Sequence, residues 1–124
     1  MKRDYAYTGN PRQVYEQIQD VLDTLGYSIE YRLPETLTLV TVKQKVKQDV
    51  RVYEYSLIIT VRDWIDVTVT GGKYVYKRSS EKAIAGKSLT EFHTLDRLPY
   101  SIQENIFEPL EYQFKKYGWK RQSK

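Results

Sequence analysis

The alternation of apolar and polar residues between Val50 and Val61 restricts this chain more than any other feature. Tyr53, Tyr55, Leu57, Ile59 and Val61 fall on one side of an extended segment, with Glu54, Ser56, Thr60 and then Arg62 on the other. A period of two marks a strand with one buried and one wet face. The stretch from Thr36 to Tyr76 strings three such runs together through two short polar turns, so an antiparallel sheet organises the fold. Arg62-Asp63-Trp64, read as a three-residue loop, pairs Val61 with Ile65 and Ile59 with Val67, which keeps both apolar sets on one face. Gly71-Gly72 then interrupts the alternation. It predicts a bulge or bend that re-aims Tyr74 and Tyr76, and room for another backbone to approach closely.

Around this centre the chain reads in order. Lys2 to Thr8 is a short extended lead-in that can add an edge strand. Asn10 as N-cap, Pro11 at the first helical position and Gln13 in a capping box open a helix over 11–25, and Gly26 closes it. Val14, Ile18, Val21, Leu22 and Leu25 form its apolar stripe. Alternation over Tyr27 to Leu33 predicts a strand, Pro34-Glu35 a turn, and Leu37 to Val46 the next strand, with Gln48-Asp49 turning into the central one. Residues 77 to 97 carry no readable period. Leu98 to Tyr117 reads as a second helix with Ile102, Ile106, Leu110 and Phe114 on one stripe, and Pro109 predicts its division into two segments. The expected fold is one α+β domain over 1–119: a four-stranded antiparallel meander, a short N-terminal edge strand, and an N-terminal and a Pro-kinked C-terminal helix on one face. Residues 120–124 are expected to be a basic, disordered tail.

Composition narrows the function classes. A chain of 124 residues without cysteine can bury a core unaided, and it excludes disulfides, thiolate metal sites and a cysteine nucleophile. Twelve tyrosines suit either an edge-rich sheet or an aromatic ligand site. Of the net charge of +4, Lys115, Lys116, Lys120, Arg121 and Lys124 supply more than the whole, with no acid among them. That end is either a solvated tail or a contact for an anionic surface. No apolar run approaches the roughly 18 residues of a membrane span, and Met1-Lys2-Arg3 leads into polar residues instead of a signal-peptide core. A soluble chain is expected, cytoplasmic or the mature part of a periplasmic or envelope protein.

Motifs for catalysis are sparse. Gly86-Lys87-Ser88 lacks the glycine that a phosphate loop needs at position 81, which is Glu81. His93 is the one histidine, so a metal site has no second imidazole, and no cofactor is called for. A hydrolase-like site at His93, with one of Ser79, Ser80, Ser88 or Ser101 and a carboxylate, is the enzymatic alternative. Glu104, Glu108 and Glu111 recur on successive helical turns as a solvated face does. Nucleic-acid binding is the other alternative: Lys73, Lys77, Arg78, Lys82 and Lys87 are interleaved with Tyr74 and Tyr76, the residue types for phosphate contact and base stacking.

Asn10-Pro11-Arg12-Gln13-Val14-Tyr15 leading into a helix and Leu25-Gly26-Tyr27 leading into a strand, followed by four strands and a C-terminal helix, resemble the helix-grip and related α+β domains. These include domains of bacterial envelope lipoproteins of the outer-membrane assembly type. The resemblance implies a noncatalytic binding or scaffolding module for a protein or small ligand, with no catalytic residues to carry over. A contact surface is also drawn from the strands themselves. With Gln48-Asp49 as a two-residue loop, Val40 and Val42 meet Leu57 and Tyr55 on the core face, and Leu39 lies opposite Ile58. Leu37, Leu39 and Ile58 then form an outer patch for a partner or a homodimer. A bulge at Leu39-Val40 is the competing reading.

Overall fold

A computed structural model describes residues 1–76 and 90–122. Its elements are β1 (Lys2–Ala6), α1 (Pro11–Thr24), β2 (Ile29–Leu33), β3 (Thr38–Thr41), β4 (Gln44–Gln48), β5 (Arg51–Val61), β6 (Ile65–Tyr76), β7 (Thr90–Leu95), α2 (Tyr100–Lys116) and β8 (Lys120–Arg121). The class is α+β with an antiparallel sheet, but the described residues form eight strands where the alternation predicted a four-stranded meander.

The hairpin of β5 and β6 is the spine. Its register holds without a shift from Val61↔Ile65 to Val52↔Tyr74. Near the Arg62-Asp63-Trp64 loop it is flanked by β2 and β3 on one side and β1 and β8 on the other, in the order β2-β3-β5-β6-β1-β8; further out β4 pairs with β5 and β7 with β6. Gly71-Gly72 therefore forms no bulge. A Cβ on Gly71 would lie 2.4 Å from the Glu54 carbonyl oxygen, and one on Gly72 2.1 Å from that of His93, so the two glycines let three strands crowd together.

Leu39, Leu57, Ile59, Val61, Ile65, Val67 and Val69 all point to one face, and both helices cover it. α1 begins as its cap residues require: the Asn10 side chain accepts from the Arg12 N–H at 2.8 Å, with Pro11 at the first position. Gly26, at φ 85°, ends it. Val14, Tyr15, Ile18, Val21 and Leu22 face the core. α2 buries Ile102, Ile106, Phe107, Leu110 and Phe114.

Three expectations fail here for identifiable reasons. α2 runs unbroken through Pro109, because Pro109 and Asn105, whose carbonyl loses its helical partner, are both exposed, so water can serve that carbonyl. Lys120 and Arg121 are not a disordered tail but pair with Ala6 and Tyr5, and the Gln122 N–H bonds the Asp4 carbonyl at 2.8 Å; residues 123 and 124 lie outside the described residues. Trp119, buried against Phe114 with ring centroids 5.2 Å apart, anchors that return. Finally, the single strand expected over 37–46 is two. The pairing with β5 shifts by one residue between Gln44↔Tyr55 and Val40↔Ile58, which leaves an extra residue at Val42-Lys43. There the Thr41 hydroxyl takes the place of a backbone acceptor and receives the Leu57 N–H at 2.8 Å.

Candidate functional site

That one-residue shift decides which side chains reach the outer, helix-free face. The loop after β4 is Asp49-Val50, with Gln48 opposite Arg51, and Asp49 takes a left-handed φ of 58°. The Pro34 connection, by contrast, is longer than two residues: Leu33 pairs with Thr38, and Leu37 sits in the loop at φ 52°. Leu39 consequently meets Ile59 instead of Ile58 and is fully buried. Leu37 packs partly on the core. The patch drawn from Leu37, Leu39 and Ile58 therefore does not exist, since a slip of one residue exchanges the faces of a strand.

Ile58 does stay outside, with different company. Tyr31 pairs with Val40 and Val40 with Ile58, so three apolar side chains form a row across β2, β3 and β5. Tyr31 is 57% exposed, and Leu33, two residues along on the same face, is 47% exposed. Beside the row, along β5 and β6, that face is polar. Thr38 and Thr60 hydroxyls lie 3.0 Å apart, Ser56 and Thr70 3.2 Å apart, and Lys2 reaches Asp66 at 3.2 Å. The row was hidden in the sequence because the register of Tyr31 and Val40 depends on the longer Pro34 connection and on the extra residue at Val42-Lys43.

The basic and aromatic set separates. Lys73 and Tyr74 are neighbours in β6 and so point to opposite faces. Lys73 shares the inner face with Tyr53 and His93, its register partners. Tyr74 joins a different group outside: Lys45 Nζ sits 5.2 Å from its ring centroid, Phe92 meets it edge-on at 5.2 Å, and its hydroxyl donates to Glu54 at 3.1 Å. Tyr76 closes β6, but its side chain, with Lys77, Arg78, Lys82 and Lys87, lies outside the described residues. Lys45 and Lys47 on β4 and Phe92 on β7 complete a basic-aromatic surface that is not legible in the sequence, because β4 joins β6 only through the fold and β7 buries little and leaves no period to read.

His93 is half exposed on β7 and lies 3.1 Å from Glu91; of the serines considered beside it, Ser101 accepts from Gln48 instead, and Ser79, Ser80 and Ser88 lie outside the described residues. Among the described residues no three histidine or carboxylate groups are placed to hold a metal ion. Nor, among those residues, is any helix long and apolar enough to cross a membrane.

Two of the α2 acids have a role that the solvated-face reading missed. Arg3 reaches from β1 over the Phe107 ring at 4.2 Å to Glu111 at 2.8 Å and Glu104 at 3.4 Å, while the Tyr5 hydroxyl donates to Glu111 at 2.6 Å. Burial alone would raise the Glu111 carboxyl, but these hydrogen bonds and the guanidinium charge hold it below the usual carboxylate range. Burial first, and then the bond to Glu111, push the Tyr5 phenol far up. The cluster ties β1, which lies between β6 and β8 and is not the edge strand expected, to α2. An open cleft of about 430 Å³ lies elsewhere, between α1 and β2, lined by Gln19, Asp20, Asp23, Tyr27, Ser28, Ile29 and Arg32.

No protein-family model matches the chain, and a search of the curated proteins finds no match.

Proposed function

We propose that this protein is a noncatalytic binding or assembly module whose contact surface is the outer face of the sheet at β2, β3 and β5. The observation that carries the reading is the Tyr31–Val40–Ile58 row with Leu33 beside it. Single exposed apolar residues are ordinary on a protein surface, but a continuous row across three strands, bordered by hydroxyls and charges, has the apolar centre and polar rim of an interface. The resemblance of the Asn10–Tyr15 and Leu25–Tyr27 segments to helix-grip-like domains of envelope lipoproteins agrees with this reading, and the proposal extends to an envelope-associated location.

A photo-crosslinking residue placed at position 58, compared with one at the exposed position 112 on α2, tests it in cells that make the protein. Adducts of discrete mass from position 58 alone are the expected result. Equal labelling from both positions, or none from 58, overturns it.

The Lys45–Tyr74–Phe92 group favours a second reading, a single-stranded nucleic-acid contact by stacking and phosphate pairing. It requires filter binding that weakens steeply with salt and drops in Phe92→Ala. Salt-independent retention sinks it.

A further inference from the structure

The strand at one end of the sheet, β2, is bonded to β3 along one edge and has no strand partner along the other among the described residues. Its sequence is Ile29-Glu30-Tyr31-Arg32-Leu33. An unpaired edge carries a row of backbone donors and acceptors that another strand can use, and proteins guard such edges with charge, bulges or short length. β8, at the other end, is two residues long and wholly basic, and β4 presents Lys45 and Lys47 on either side of Val46. A second copy laid antiparallel on either would bring like charges together. In β7, Glu91 and His93 are already paired with each other.

β2 differs from all three. Its two charges are opposite in sign and symmetric about Tyr31, so an antiparallel second β2 centred on Tyr31 sets each Glu30 across from the other copy's Arg32. What repels an arbitrary strand attracts this one. Among the described residues Glu30 makes no ion pair, and Arg32 is held by a 3.0 Å bond from its Nε to Gln19, which leaves both terminal nitrogens for a carboxylate. The cleft between α1 and β2 leaves space beside the edge for incoming side chains. On the outer face the two Tyr31 rings would meet at the two-fold axis, and each Tyr31–Val40–Ile58 row would continue into its copy as one apolar band across six strands. The register shift between Ile29 and Tyr31 limits the pairing to the short segment around Tyr31.

We infer that the partner of this face is a second copy of the chain, joined edge to edge through β2 with Glu30 opposite Arg32. The inference rests on the assembly reading above and names its partner. Sedimentation equilibrium of the whole chain tests it with four samples besides the wild type: Glu30→Arg, Arg32→Glu, the double exchange, and an equal mixture of the two single variants. The wild type should dimerise, and each single exchange should weaken association by about tenfold or more, since two cross-strand attractions become repulsions. The double exchange should restore the homodimer, and the mixture should give a one-to-one heterodimer, because a copy with Glu30→Arg and a copy with Arg32→Glu bring only opposite charges together. A misfolded single variant could not form that heterodimer, so the mixture separates lost charge from lost structure. A monomeric wild type, or a dimer indifferent to both exchanges, overturns the inference. If position 58 still crosslinks to another protein in that case, the binding reading stands and only the identity of the partner falls.

Discussion

The two halves of the β5–β6 hairpin share the same strands, pleat and uninterrupted register, yet they are built from different residues. Near the Arg62-Asp63-Trp64 loop the inner face reads Leu57, Ile59, Val61, Ile65, Val67 and Val69, all buried beneath α1 and α2. Toward the far end the inner face reads Tyr53, Tyr55, Gly71 and Lys73, and the neighbours supplied by β4 and β7 include Val46, His93 and Leu95. Tyr53 and Tyr55 are buried there, and the Tyr55 hydroxyl meets that of Tyr27 at 2.9 Å. The period of two is indifferent to what lies above a sheet, whereas residue type reports it: aliphatic rows mark a helical cover, and tyrosine with glycine marks a half-open end.

The largest effect expected from this contrast is in the covered half. Leu57→Ala, at a fully buried position, should cost about 3–4 kcal/mol in urea unfolding, whereas Val52→Ala on the outer face of the far half should cost less than about 1 kcal/mol. Equal costs would abolish the distinction. Next comes Gly72→Ala, whose new Cβ would strike the His93 carbonyl oxygen. It should cost about 2–3 kcal/mol, with protection from hydrogen exchange lost in β7 but kept at 57–61. Loss of protection throughout would show that the far half is not a separable unit.

Glu111→Gln probes the anchorage of the covered half through β1. It should cost about 2 kcal/mol at pH 7, because Arg3 is left part-buried without its closest counter-charge. The folded carboxyl titrates lower than the unfolded one, so its stabilisation is present above the usual value of about 4.5 and is lost as pH falls through the folded value. The variant should therefore lose part of the acid limb of the stability profile; an unchanged limb assigns acid sensitivity elsewhere. The smallest effect belongs to Tyr27→Phe in the far half, about 0.5–1 kcal/mol for one hydroxyl contact. Burial raises both Tyr27 and Tyr55 above the usual phenol value of 10.0. Stability from these phenols is thus complete below about pH 10 and declines as pH rises beyond it, and Tyr27→Phe should flatten that alkaline decline. A wild-type profile that is level above pH 10 would contradict this.

Much of the architecture was legible from local chemistry. The buried face of β5, the pairing of Val61 with Ile65 and of Ile59 with Val67, the Asn10-Pro11 start and Gly26 end of α1, and the Ile102–Phe114 stripe of α2 all follow from periodicity and capping, which act over a few residues. Only the tertiary structure decided the rest. The bulge at Val42-Lys43 exists because Thr41 can lend its hydroxyl to a distant N–H; it turned Leu39 inward and Val40 outward and so replaced the expected patch with the Tyr31–Val40–Ile58 row. The return of Lys120 and Arg121 to β1, and the gathering of Arg3, Tyr5, Glu104 and Glu111, join residues about a hundred positions apart in the chain. Register and long-range pairing depend on the whole core closing at once, and a one-residue change in a loop is enough to reverse them.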